Sequence, residues 1–200
     1  DLVARLLMVE TLSRAGRHDD AASAIRPLRA QYDELREIDY AEVVVLVNRA
    51  DFRGALDLIP SLVDSDPAWA LPRFREAQCL LVLASESDPR DVGMIQRAVD
   101  AAKTGIQSAP AAIEGHEFLG QGCGLLGRWE EAVSCFATCV ELEPLTARHR
   151  VQLGDALVES GDPMAAIREV DRMDADFGRS VDAGLVRVRA LAAFGRFDDA

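Results

Sequence analysis

Apolar side chains recur along this chain at intervals of three and four residues, the spacing that places them on one face of an α-helix. Short polar, glycine-containing stretches separate the apolar stretches, so the pattern predicts helix, short turn, helix along the whole sequence. The predicted helices cover residues 2–15, 18–31, 36–49, 52–65, 70–84, 92–108, 113–126, 129–142, 147–160, 163–176 and 181–194, with a last helix starting near 197.

A short motif marks the turn of each predicted hairpin: a small residue, polar or aromatic residues, an acidic residue and a closing alanine. The closing alanines are Ala21, Ala55, Ala132, Ala166 and Ala200, spaced 34 residues apart except for a gap of 77 between Ala55 and Ala132. Ala98 divides that gap into 43 and 34, so one repeat carries nine extra residues. Prolines twelve residues after three of these alanines support the register, because proline ends a helix; they are Pro67, Pro110 and Pro144.

This pattern resembles the tetratricopeptide repeat, a 34-residue helix–turn–helix unit with a Trp-x2-Leu-Gly-x2-Tyr motif followed by a small residue, an aromatic residue and a proline. Leu119-Gly120 and Leu153-Gly154 match the Leu-Gly pair, whereas the Trp and Tyr are replaced. The resemblance implies an all-α fold, an α–α superhelix built as a single tetratricopeptide-type solenoid domain. Its repeats are 2–35, 36–69, 70–112 with an insertion at 85–93, 113–146, 147–180 and an incomplete 181–200, so we expect a fragment of a longer chain.

In such a solenoid the first helix of each pair lines a concave groove, which implies a protein or peptide partner. The repeat register places the following side chains on that groove: Tyr40, Val44, Val47, Asn48, Leu71, Phe74, Arg75, Gln78, Leu81, Glu117 and Gln121. The apolar members predict an open apolar stripe, which is typical of a binding site. Two alternatives stay open: the insertion folds over the stripe, or the helical phase is off by one residue.

The partner is expected to be an extended or helical peptide with apolar anchors and some basic residues. The Lys, Arg and Asn set with which some members of the family clamp an acidic C-terminus is not found in this sequence. The insertion at 85–93 is interpreted either as a functional surface loop or as an extra helix turn plus a loop. Pro27 and Pro60 predict kinked or shortened second helices in the first two repeats.

The net charge, the apolar runs and the cysteines limit the kinds of partner and site that this chain can have. A net charge of −12 argues against nucleic acid, whose binding depends on Lys and Arg. No apolar run reaches the roughly 18 residues that span a bilayer. His116, Cys123, Cys135 and Cys139 gather in the fourth repeat, where a zinc site, a Cys123–Cys139 disulfide and reduced buried thiols are three interpretations. The last of these suits a cytoplasmic protein.

Three hypotheses of function follow. The first is a non-catalytic binding module with no cofactor and no metal, since no motif for nucleophilic, metal or nucleotide chemistry occurs in context. The second is a substrate-docking or regulatory arm of a larger enzyme, such as a glycosyltransferase or a sulfotransferase. The third is self-assembly into a homo-oligomer through the solenoid ends. Only Lys103 among the 22 basic residues is lysine, which indicates a GC-rich, bacterial genome.

Overall fold

The computed structural model describes residues 1–32 and 35–197, and within them the chain forms eleven α-helices and no β-strand. The helices are α1 Leu2–Arg14, α2 His18–Gln31, α3 Arg36–Asn48, α4 Phe52–Ser65, α5 Ala70–Glu86, α6 Val92–Ser108, α7 Ile113–Leu125, α8 Trp129–Leu142, α9 Ala147–Glu159, α10 Pro163–Phe177 and α11 Val181–Phe197. The predicted all-α fold is confirmed. The helix expected to start near 197 lies almost wholly outside the described residues. α11 itself continues to Phe197, three residues beyond its predicted end.

The repeat register holds in three dimensions. The closing alanines Ala21, Ala55, Ala98, Ala132 and Ala166 are all fully buried. Their small side chains let the two helices of each hairpin approach closely. The turn residue of the first, fourth and fifth hairpins is a glycine with positive φ, as a tight helix C-terminus requires. The second hairpin places Ala50 in that conformation, with φ of 63°.

The second helices begin with the acidic residues that the turn motif predicted. Asp19 and Asp20 lie in the first turn of α2, and Glu130 and Glu131 lie in the first turn of α8. Their charges complement the positive end of the helix dipole. Aspartates cap α4, α6 and α10 directly; in α4 the Asp51 side chain accepts a hydrogen bond from the backbone N–H of Gly54 at 3.0 Å.

The nine extra residues of the third repeat mostly lengthen its two helices. α5 has 17 residues against 13 in α7, and α6 has 17 against 14 in α8. The remaining extra residues lengthen the turn between α5 and α6, so the interpretation as added helix turn plus loop describes the segment. The expected shortening at Pro27 and Pro60 is wrong, since α2 and α4 run through these prolines over 14 residues each.

The chain contacts divide into two compact units, Asp1–Pro110 (unit 1) and Ala111–Ala200 (unit 2). In unit 1, one core cluster joins Val9, Ile25 and Ile38 from α1, α2 and α3. The next joins side chains of α3, α4 and α5, so each core lies between one hairpin and the following first helix. In unit 2, Val170 of α10 packs with Val186 of α11 in the same way. The single domain over residues 1–200 stays a prediction.

Candidate partner-binding face

The first helices of unit 1 lie side by side, because α3 contacts both α1 and α5. Polar side chains join each of them to the first helix one repeat earlier. Asn48 Nδ2 donates to Ser13 Oγ at 2.8 Å, and Arg75 Nε donates to Tyr40 Oη at 3.3 Å. Both pairs are 35 residues apart in sequence. These bonds link neighbouring first helices and help to fix the spacing between them.

Two aromatic rings pack together on this face. The rings of Tyr40 and Trp69 are half-buried, with centroids 4.9 Å apart and planes tilted by 52°. The Arg36 guanidinium lies 5.0 Å from the centroid of the Trp69 ring. Arg36 also hydrogen-bonds to Asp66, and that hydrogen bond is the main reason why the pKa of the Asp66 carboxyl is lowered. Trp69 was not predicted, because it precedes α5 rather than lying on a first helix.

Apolar side chains continue this surface along α3 and α5. Val44 is half-buried one turn after Tyr40, and Leu71 is 40% exposed one turn before Arg75. We call Tyr40, Val44, Trp69, Leu71 and Arg75 the anchor patch. Arg75 also donates through Nη1 to Gln78 Oε1 at 2.8 Å, so the predicted residues Tyr40, Arg75 and Gln78 form one hydrogen-bonded chain.

Three predicted groove residues are instead core residues, and their expected exposure is wrong. Phe74 is 2% exposed because its ring lies against Gly105 of α6, in the same hairpin. Val47 packs in the core cluster with Ile59 and Cys79. Leu81 is buried in α5, which packs along the lengthened α6. The apolar stripe is therefore narrower than the repeat register indicated.

The predicted residues Glu117 and Gln121 belong to unit 2. Glu117 is buried and pairs with Arg148 of the next first helix, and its Oε1 lies 3.3 Å from Nδ1 of His149. Nε2 of the buried His149 lies 3.2 Å from Glu143 Oε2. Glu117 thus has its charge compensated within the protein, whereas the half-buried Gln121 stays a predicted contact.

Unit 2 repeats the links between first helices with charged groups. Arg189 of α11 pairs with Asp155 of α9 and donates through Nη2 to Glu159 Oε1 at 2.6 Å. Burial raises the pKa of Asp155, and the nearby Arg189 opposes that shift. Asp155 and Glu159 on this face are therefore already paired with Arg189.

All four cysteines lie in the described part of the chain, where they are buried thiols outside any disulfide, as one of the three interpretations held. Burial raises the pKa of both Cys79 and Cys139 to about 12, so these thiols are poor nucleophiles at neutral pH. Cys139 Sγ lies 3.9 Å from the carbonyl oxygen of Ile113. Across the described ranges, no group of three or more His, Cys, Asp or Glu side chains is arranged to hold a metal ion. No helix described there combines the length and hydropathy that crossing a bilayer requires.

Comparisons with known proteins agree with this architecture. The family model for the tetratricopeptide repeat matches residues 2–27. Among curated protein sequences, none matches this chain. The chain is similar in fold to a thermophilic TPR protein from Thermus thermophilus, with a TM-score of 0.73 and 19% identity over 97% of this chain and 99% of the other.

Two further solved structures share the fold. Pseudomonas aeruginosa pilF has a TM-score of 0.78 and 15% identity, covering 98% of this chain and 85% of its own. YrrB, a TPR protein with an unusual peptide-binding site, has a TM-score of 0.66 and 15% identity, covering 92% and 90%. The alanine register, the helix hairpins and these likenesses together show that the chain has the fold of tetratricopeptide-repeat proteins.

Proposed function

We propose that this protein is a non-catalytic binding module that holds a segment of a partner protein against the first helices of unit 1. The observation that carries the proposal is the anchor patch, a half-buried Tyr–Trp pair flanked by arginines. Trp, Tyr and Arg are the residues that dominate the energetics of protein interfaces. A pre-organised face with apolar anchors and few free charges suits a peptide that inserts apolar side chains.

Two further observations support a peptide ligand. The hydrogen bonds between first helices keep the face in place before binding, which reduces the entropy lost on association. YrrB shares the fold and has a peptide-binding site, although at 15% identity the likeness speaks for the fold alone. The net charge of −12 favours a segment that carries some basic residues beside its apolar anchors.

Peptide display against the whole chain tests the proposal. Selected peptides should lose at least about tenfold in affinity to Tyr40→Ala and Leu71→Ser variants, as expected for anchors at an interface centre. Val92→Ser is the matched control, because Val92 is 61% exposed elsewhere in unit 1. In a Trp129→Phe background, Trp69 is the only tryptophan, and its emission should shift on binding. Peptides that bind all three variants equally would place the site elsewhere.

Self-assembly is a second candidate, favoured by the apolar face of α11. Val181, Leu185 and Val188 lie on one side of α11 and are 79%, 59% and 64% exposed, and Leu191, one turn further on, is 54% exposed. Exposed apolar patches of this kind mark interaction sites. Light scattering should show mass rising with concentration, and Val188→Asp should abolish the rise. A mass equal to one chain at every concentration would eliminate this candidate.

A further inference from the structure

Three first helices carry an arginine at the same position of the repeat. Arg5 and Arg150 lie 16 residues before the closing alanines Ala21 and Ala166. Arg73 lies 25 residues before Ala98, which is the same position once the nine-residue insertion is subtracted. The surroundings of the three arginine side chains can therefore be compared at equivalent positions of three helix hairpins.

In the fifth repeat the arginine is neutralised by its own hairpin. Arg150 Nη1 donates to Glu169 Oε1 at 2.6 Å, and Nη2 donates to Asp176 Oδ2 at 3.1 Å. Both carboxylates come from α10, and the side chains of Arg150 and Glu169 are only 11% and 6% exposed. In the first repeat, Arg5 Nη1 reaches Gln31 Oε1 at 3.4 Å, at the position that Asp176 occupies. The second helix thus supplies the acceptors for this arginine.

In the third repeat the acceptors of the second helix are missing. Ala101 and Ser108 of α6 stand where α10 has Glu169 and Asp176. Arg73 instead donates through Nη1 to Glu76 Oε2 of its own helix at 3.1 Å. The Nε atoms of Arg73 and Arg150 are both buried and without a hydrogen-bond partner in the described chain. The two arginines therefore differ in the carboxylates of the second helix, which Arg150 has and Arg73 lacks.

A cavity of about 170 Å³ opens beside Arg73. Leu56, Ile59, Pro60 and Val63 of α4 form its apolar wall, and the polar lining consists of Asp64, Arg73, Glu76 and Arg97. An apolar cavity of about 150 Å³ can hold a benzene-sized molecule, so this space admits a branched aliphatic group. Arg97 is exposed and forms no ion pair with any residue that the structure describes.

We propose that this cavity binds a monocarboxylate with a branched apolar tail. The tail lies against the wall of α4, and the carboxylate takes the place beside Arg73 that Glu169 takes beside Arg150. Arg97 adds a second cation at the opening. Glu76 and Asp64 balance these charges, so a dianion is disfavoured. A free aliphatic acid and the apolar C-terminal residue of a peptide share this chemistry. The site lies outside the anchor patch and does not depend on it.

Amide chemical shifts of the full chain test the proposal. N-acetyl-leucine should shift the signals of residues 59, 61–63, 73–76 and 97, while the neutral N-acetyl-leucinamide should not. Isovalerate distinguishes the source of the carboxylate: equal affinity indicates a free acid, and a preference for N-acetyl-leucine indicates a peptide end. Arg73→Met should weaken binding by about tenfold or more, because charge-assisted hydrogen bonds are lost. Arg53→Met, an exposed change on α4, is the matched control.

A second variant tests the comparison between repeats. Ala101→Glu restores the carboxylate that α10 provides, so it should abolish binding of N-acetyl-leucine and raise the melting temperature, whereas Ala101→Gln should not raise it. Equal binding of N-acetyl-leucine to the wild type and Arg73→Met would overturn the proposal. So would equal binding of the acid and the amide, or no shift of these signals at the solubility limit of the probe.

Discussion

The replacement of Gly105 by alanine tests how the third hairpin is packed. A Cβ atom added at Gly105 would lie 2.3 Å from Cε1 and 2.8 Å from Cδ1 of Phe74. Phe74 is 2% exposed, so its ring cannot turn out into solvent without opening the core. The glycine therefore makes room for the ring, and the added methyl group must displace either Phe74 or the backbone of α6.

Two effects of opposite sign determine the outcome. Alanine in a helix interior is favoured over glycine by about 1 kcal/mol. Overpacking a buried site costs about 1–3 kcal/mol and sometimes more. Because the overlap is deep and involves several ring atoms, we place its cost near the upper end, about 3 kcal/mol. The free energy of unfolding of Gly105→Ala should then fall by about 2 kcal/mol.

Urea denaturation followed by far-ultraviolet circular dichroism measures this change, because that signal reports the helices of both units. Gly184→Ala in α11 is the control, because its added Cβ would have no heavy atom within 4 Å. That control should gain about 1 kcal/mol. Phe74→Leu should reduce the penalty of Gly105→Ala in the double variant. A gain in stability for Gly105→Ala equal to that of the control would refute the packing described here.

Three more predictions follow from the turns, the thiols and the ion pairs. Ala50→Gly should raise the free energy of unfolding by roughly 1 kcal/mol, measured by urea denaturation, because Ala50 has positive φ. Cys79 and Cys139 should react with iodoacetamide only on unfolding. Burial raises the pKa of both thiols from 9.0 to about 12, so the free energy of unfolding that depends on the protonated thiols should be fully present below pH 9 and should decline as the pH rises towards 12. Arg36→Met should destabilise the chain at neutral pH, and the difference should vanish in acid, because Arg36 lowers the pKa of Asp66 and this stabilisation is lost as the pH falls through that lowered value.

The closing alanines made most of the fold predictable. Each sits where two helices touch, so its spacing reports the hairpin period directly, and the helix bounds follow within three residues. α6 begins at Val92 and ends at Ser108 as the pattern indicated. The shortening expected at Pro27 and Pro60 was wrong because α2 continues four residues and α4 five residues beyond its proline, whereas the alternative of a kink stays a prediction.

The candidate site was less predictable, because a repeat register specifies the position of a residue on its helix but not which side chains of other helices pack against it. Phe74 occupies a groove position, yet a glycine 31 residues later gives its ring a place in the core. Trp69 lies just before α5, outside the positions that the register assigns to the groove. Its rarity in the chain, and its place after Pro67, were the available signals. The pairing of Arg75 with Tyr40 needed coordinates, since it joins residues one repeat apart.

The ion pairs between first helices explain why the anchor patch is a better candidate for partner binding than the charged side chains of these helices. In unit 2, Glu117, Asp155 and Glu159 are each paired with an arginine of the following first helix. A partner that used these carboxylates would have to break existing ion pairs, and the net gain would be small. The Tyr40–Trp69 pair needs no such exchange, because covering the exposed parts of these half-buried rings is favourable. Binding should therefore draw its free energy from apolar and aromatic contact in unit 1.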